Sequence, residues 1–122
     1  MTLLGRVSEE AKITLLEHAA LLVIPSLREG FPNVVAEAMA AGTPTVTVSS
    51  PENGTAHVVE LYSNGTVGAP TIDGFAGAIV EALNSWGDFH ANCVESSRQL
   101  DWSVICHDFL TTINGVIARR IP

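Results

Sequence analysis

Residues 25–46 read PSLREGFPNVVAEAMAAGTPTV and hold two glutamates, Glu29 and Glu37, with seven residues between them. Glu29 lies in a short run with Gly30 and Pro32, a composition that breaks regular structure. Glu37 lies in an apolar, alanine-rich run that ends at Gly42. A carboxylate accepts hydrogen bonds from two hydroxyls at once, so both acids suit a polyhydroxyl ligand such as a sugar. Between them the sequence predicts a helix start at Pro32 or Asn33, because proline is tolerated in a first turn and asparagine caps well. The first turn of a helix leaves backbone N–H groups without partners. Here the candidates are Phe31, Asn33, Val34 and Val35, since Pro32 carries no N–H. With the helix dipole they form a site for a phosphate or diphosphate. A diphosphate flanked by two hydroxyl-binding carboxylates describes a nucleotide-sugar. The residues also admit plainer readings: Glu37 as a solvated helix residue, and Glu29 as a solvated loop acid or a partner of Arg28.

The elements that must position these groups follow from the pattern of the chain. Ser8 is the expected N-cap of a helix in SEEAKITLLEHA, with Glu9 and Glu10 at its positive end and Ile13, Leu16, Ala19 and Ala20 on one face. ALLVIP, residues 20–25, is a continuous apolar run stopped by proline, as suits a strand buried on both faces of a parallel sheet. Gly42 and Pro44 end the helix that carries Glu37. TPTVTVSS alternates and β-branches, so it reads as a strand. PENGT is a turn, and Thr55 is the expected cap of a short helix, AHVVEL. A short strand at 66–68 leads to an amphipathic helix in TIDGFAGAIVEALNSW, with Asp73 as its cap and Phe75, Ile79, Ala82, Leu83 and Trp86 on one face. DFHANCVESSRQL and DWSVICHDFLTTINGVIARR close the chain as two helices. Leu3-Leu4-Gly5 reads as the tail of a further strand. The alternation predicts an α/β fold, a partial Rossmann-like parallel sheet of about four strands with helices on both faces.

Composition excludes several classes. The 122 residues make one domain, residues 1–122, and 47% are hydrophobic against only 16% charged. A surface so poor in charge suggests that part of it is covered by something else. The formal net charge is -7, and the one basic pair is Arg119-Arg120. Nucleic-acid binding needs a basic face and is not expected. No apolar run is long enough to be a transmembrane segment, and the first residues lack the features of a secretion signal. A cytoplasmic location is the expectation, or a membrane-peripheral one for a longer form of the protein. Cys93 and Cys106 have no metal-ligand spacing and read as two buried thiols. His18, His57, His90 and His107 form no constellation. Trp86 and Trp102 read as core residues on apolar helix faces. Ser49 and Ser50 have no histidine at a spacing that would support a hydrolase triad.

The same 25–46 segment closely resembles the signature of retaining glycosyltransferases of family four, which have the GT-B fold. Their pattern is PS…EGF(G/P)…(L/A)EAMA.G.P(V). The lead-in LLGRVSEEAKITLLEHAALLVIPS, the downstream ELYSNGTVGAPTIDGFAGAIVEAL and the closing LDWSVICHDFLTTI are similar to the family's flanking segments. Asp101 stands where the family usually has serine. The resemblance implies that Glu29 contacts donor-sugar hydroxyls near the reacting centre and is the catalytic candidate. It implies that Gly30, Phe31 and Pro32 form the loop beside the sugar, that the amides of Asn33, Val34 and Val35 face the diphosphate, and that Glu37 holds the ribose. Asn53, Gly54 and Thr55 fall in a loop that reaches toward the donor. No metal and no cofactor are implied, the nucleotide-diphospho-sugar being the donor substrate.

By the same resemblance the chain is a partial donor-binding domain. The N-terminal acceptor domain, the first strands of the donor domain and the basic residues that neutralise the diphosphate would lie elsewhere. An isolated piece of this kind is expected to be inactive, and its exposed sheet edge offers a route to a homodimer. Two alternatives are a non-catalytic remnant that binds a nucleotide-sugar or serves assembly, and a related nucleotide-sugar 2-epimerase. The two-glutamate motif disfavours the epimerase.

Overall fold

The computed structural model describes residues 1–120. Helix α1 spans Glu9–His18, and Ser8 caps it as expected, its Oγ accepting from the Ala11 N–H at 3.2 Å. Strand β1 is Leu22–Ile24, helix α2 Asn33–Ala41, strand β2 Thr45–Val48, helix α3 Gly54–Tyr62 and strand β3 Gly65–Gly68. Helices α4, Ile72–Asn84, and α5, Trp86–Ser97, follow, then a 3₁₀ turn, Arg98–Leu100, and helix α6, Trp102–Arg120.

The strands lie in the order β1-β2-β3, all parallel, with Val23 opposite Val46 and Thr47 opposite Val67. Parallel strands laid down in one direction put both crossover helices on the same face when the crossovers are right-handed. The core divides accordingly. On the α2/α3 face, Val35, Met39, Val58 and Cys93 are buried, with Leu22 and Ile24 against them. On the α4 face, Val46, Ala78 and Ala82 are buried, with Leu21, Phe75 and Ile79 against them. Full burial of a side chain such as Met39 contributes about 1.5–3 kcal/mol, and Met39 is completely enclosed. The expected α/β architecture, a parallel sheet between helices, is the architecture observed.

Among the described residues the sheet has three strands, against an expectation of about four. Leu3 and Leu4 form no strand and are 85% and 57% exposed. A strand exists only through its neighbour's hydrogen bonds, and among the described residues no strand lies beside this segment. β1 is for the same reason an edge rather than a strand buried on both faces, and Val23 is 42% exposed. The buried strand is β2, enclosed at all four positions.

Gly42 ends α2 in the left-handed conformation, φ 76°, where a side chain would be strained. A Cβ there would also lie 2.5 Å from the His90 ring. Other ends differ from expectation. Asn53, not Thr55, caps α3, and Thr71, not Asp73, caps α4. In each case the residue just outside the helix has extended backbone and an oxygen within reach of the first turn. Trp86 begins α5 and donates from Nε1 to Ala20 O at 2.8 Å, and Trp102 is 76% exposed. Neither is a core residue. Asp101 caps α6 by accepting from the Ser103 amide and hydroxyl, bonds that hold its carboxyl below the usual range, the hydroxyl first. Aspartate therefore does at this position what serine does as a cap.

Cys106 is exposed and only Cys93 is buried. Burial pushes the Cys93 thiol from 9.0 up to about 12. A raised value favours the protonated folded state, so this contribution is complete below pH 9 and is lost as pH rises from 9 toward about 12. Its slope is at most about 1.4 kcal/mol per pH unit. Denaturant titrations should therefore show the stability gap between wild type and Cys93→Ala narrowing above pH 9. A gap constant through pH 11 would contradict this. Disulfide-exchange reagents at pH 8 should label Cys106 rapidly and Cys93 only on unfolding.

Candidate functional site

Beyond the carboxyl end of β1 the chain forms an exposed turn that reaches Glu29. This residue makes an isolated parallel bridge to Asn53. The Glu29 N–H donates to Glu52 O at 3.0 Å, and the Gly54 N–H donates to Glu29 O at 2.8 Å. The two loops approach so closely that a Cβ on Gly54 would lie 2.1 Å from Gly30 O. Only glycine fits, because the obstructing atom is backbone. Arg28 pairs with Glu52, Nε to Oε2 at 3.2 Å, and not with Glu29. Among the described residues the half-buried Glu29 carboxylate has no hydrogen-bond or ion-pair partner.

Helix α2 starts four residues later. Pro32 occupies its cap position and supplies no side-chain bond, and Asn33 is the first helical residue rather than the cap. The start therefore keeps its unpaired donors. Among the described residues the amides of Phe31, Asn33 and Val34 have no acceptor. Val35 differs from expectation: its amide donates to Pro32 O at 2.9 Å, and the residue is fully buried. The free amides at this end are therefore those of Phe31, Asn33 and Val34. Phe31 is 52% exposed beside them.

Glu37 lies one turn further, roughly 6 Å along the axis from Asn33 at about 1.5 Å per residue. It is not a freely solvated helix residue. Its Oε1 accepts from Lys12 Nζ at 2.9 Å, and Lys12 also meets Glu9 at 2.7 Å. Its Oε2 is buried and has no partner. The bonds to Glu9, then Glu37, raise the Lys12 ammonium above its ordinary value. Lys12 was invisible to motif reading because it lies 25 residues from Glu37. The one signal for it was a lone cation on α1, whose charged residues are otherwise acidic.

Glu37 borders two surface cavities. One, of about 500 Å³, runs from Ala36 and Ala40 to Arg98, Asp101 and Trp102. The other, of about 230 Å³, lies against Ile13 and Glu17 of α1. Glu29 lines neither of them. The two carboxylates therefore flank the start of α2 from different sides, Glu29 toward the α3 cap and Glu37 toward α1. A third cavity of about 300 Å³ is mostly apolar and lies outside the carboxyl ends of the strands, lined by Pro25, Leu27, Val48, Ile72 and Phe75. In open α/β sheets that is the end where ligands bind.

Two further expectations concern the loop after β2. Asn53 and Thr55 are buried and serve the α3 start rather than a pocket wall, while His57 is exposed. No described helix is long and apolar enough to cross a membrane.

The fold is thus a parallel α/β sheet with a bare helix start, flanked by two acids, beyond its carboxyl end. The profile of one family, glycosyl transferases group 1, matches residues 1–100, which include every element through the 3₁₀ turn. The chain belongs to that family, and its chemistry is glycosyl transfer. No curated protein matches the chain.

Proposed function

We propose that this chain is the donor-binding part of a retaining GT-B glycosyltransferase of family four, which moves a sugar from a nucleotide-diphospho-sugar to an acceptor. The observation that carries the proposal is the uncapped start of α2, with free amides at Phe31, Asn33 and Val34 between two carboxylates. In this reading Glu29 and the Gly30–Phe31–Pro32 loop meet the sugar, the amides meet the diphosphate and Glu37 holds the ribose. Fixed amides and a helix dipole stabilise the charge that develops on a departing diphosphate without having to reorganise. The unpaired edge of β1 and the apolar side chains along α6, Phe109 and Leu110 among them, offer surfaces for further protein. In this reading the acceptor site and the cations that balance the diphosphate reside in that protein, and the 122 residues alone do not turn over.

The test is a calorimetric titration of the intact protein with UDP-glucose, UDP-N-acetylglucosamine and GDP-mannose, followed by determination of the anomeric configuration of the product. One nucleotide-sugar should bind about tenfold or more tighter than the others, a difference of about 1.4 kcal/mol, and the configuration should be kept. Failure of all three to bind, or an inverted product, would refute the reading.

A further inference from the structure

The side chain of Asn53 is buried, and its amide is engaged at both ends. Nδ2 donates to Val48 O at 2.7 Å and to Thr47 Oγ1 at 3.0 Å, and Oδ1 accepts from the Thr55 N–H at 3.1 Å. Thr47 in turn donates to Ile24 O at 2.9 Å. One amide therefore ties together the carboxyl ends of β1 and β2 and the start of α3. The backbone on either side of it carries the two bonds that hold Glu29, one to Glu52 O and one from the Gly54 N–H. The two partners of the Glu29 backbone, Glu52 and Gly54, are the immediate chain neighbours of Asn53.

We propose that Asn53 is a positioning residue for glycosyl transfer, fixing the Glu29 loop at the carboxyl end of the sheet through the Asn53–Gly54 turn. This rests on the reading of Glu29 as the donor-sugar contact. The plainer role is that of a helix cap, which serine or aspartate fills as well as asparagine. Capping, however, uses only the Oδ1 atom. A serine hydroxyl has one proton and an ionised aspartate none, so neither can reach Val48 O and Thr47 together while still accepting from Thr55. The second and third bonds require an amide. They face the strand ends, not the helix, and they decide where residues 52–54 stand. A displacement of about 1 Å at a reacting group costs on the order of 100-fold in rate, so a clamp this short matters to catalysis.

The test compares Asn53→Ser, which keeps a cap, and Thr47→Val, which keeps the shape but removes the hydroxyl that Nδ2 reaches. The first readout is amide hydrogen exchange. Both variants should lose about tenfold or more protection at the Glu29 and Gly54 amides while the β2 and α2 amides keep theirs. Unchanged protection at those two amides would overturn the proposal. The second readout is turnover of whichever of UDP-glucose, UDP-N-acetylglucosamine or GDP-mannose binds, followed as release of nucleoside diphosphate. Asn53→Ser should lower kcat about tenfold while UDP or GDP affinity changes less than about threefold. Added to Glu29→Ala it should slow the reaction no further than about twofold, because the two residues act as one unit. Independent, multiplying losses would overturn the positioning role and leave the donor site standing. A Glu29→Ala protein with full turnover would sink both. If Asn53→Ser does not fold, Thr47→Val carries the same comparisons.

Discussion

Replacing Glu29 with alanine is expected to lower kcat for sugar transfer by roughly 10²–10³-fold, the loss typical of one group that stabilises a developing charge. Affinity for the nucleoside diphosphate should stay within about threefold, because the sugar end of the donor is the part that loses a contact. The carboxylate makes no bond to any described residue, so its removal leaves no buried partner stranded among them. Stability should change by no more than about 0.5 kcal/mol, as for a surface position. The backbone at Glu29 is held independently, by Glu52 O and the Gly54 amide, so the loop should keep its place in the variant. Steady-state kinetics of the intact protein with its preferred nucleotide-sugar provide the measurement, with thermal unfolding as the control. Wild-type kcat in Glu29→Ala would remove this residue from the reaction.

The second large effect is expected at the other acid. Glu37→Ala should weaken binding of the free nucleoside diphosphate by roughly 10–100-fold, in line with the loss of one hydrogen bond to a charged group at about 1.5–3 kcal/mol. The sugar contributes nothing to this loss, so UDP or GDP alone should report it fully in calorimetry. The structure adds a partner to the argument. Lys12 holds Oε1 and leaves Oε2 without a bond, so the carboxylate is oriented with one oxygen in reserve. A ribose hydroxyl that supplies the missing bond must first open the groove between α1 and α2, because that oxygen is enclosed. Lys12 keeps Glu9 when Glu37 is removed, so the variant strands no cation. Unchanged nucleotide affinity in Glu37→Ala would end the ribose assignment and leave the carboxylate as an anchor between two helices.

Much of this architecture was legible because short-range chemistry decides it. Ser8 before two glutamates marks a helix start wherever it occurs. Gly42 followed by Pro44 marks a stop, and four alternating β-branched residues at Thr45–Val48 make the central strand. The two-glutamate motif was legible as well, since Glu29, Gly30, Pro32 and Glu37 lie within one turn and one helix. What escaped depended on residues far apart in the chain. Asn53 and Thr55 are both competent caps, and the choice between them was made by Val48 O and Thr47, which wait at the strand ends for an amide. Leu3 and Leu4 have the composition of a strand but no strand beside them to pair with. Trp102 has the side chain of a core residue, yet helix α6 packs mainly on the turn before it.

The sequence by itself determined the α/β class, the family and the placement of a helix start between two glutamates, because these follow from local backbone preferences and a contiguous motif. Tertiary structure alone decided how the acids are held. Glu29 is pinned through backbone bonds to a loop that follows the next strand, and Glu37 is bound to a lysine on the preceding helix. The physical reason is that an ion pair or a loop-to-loop bond depends on distance in space, and no spacing along the chain encodes that distance until the sheet brings β1 and β2 side by side.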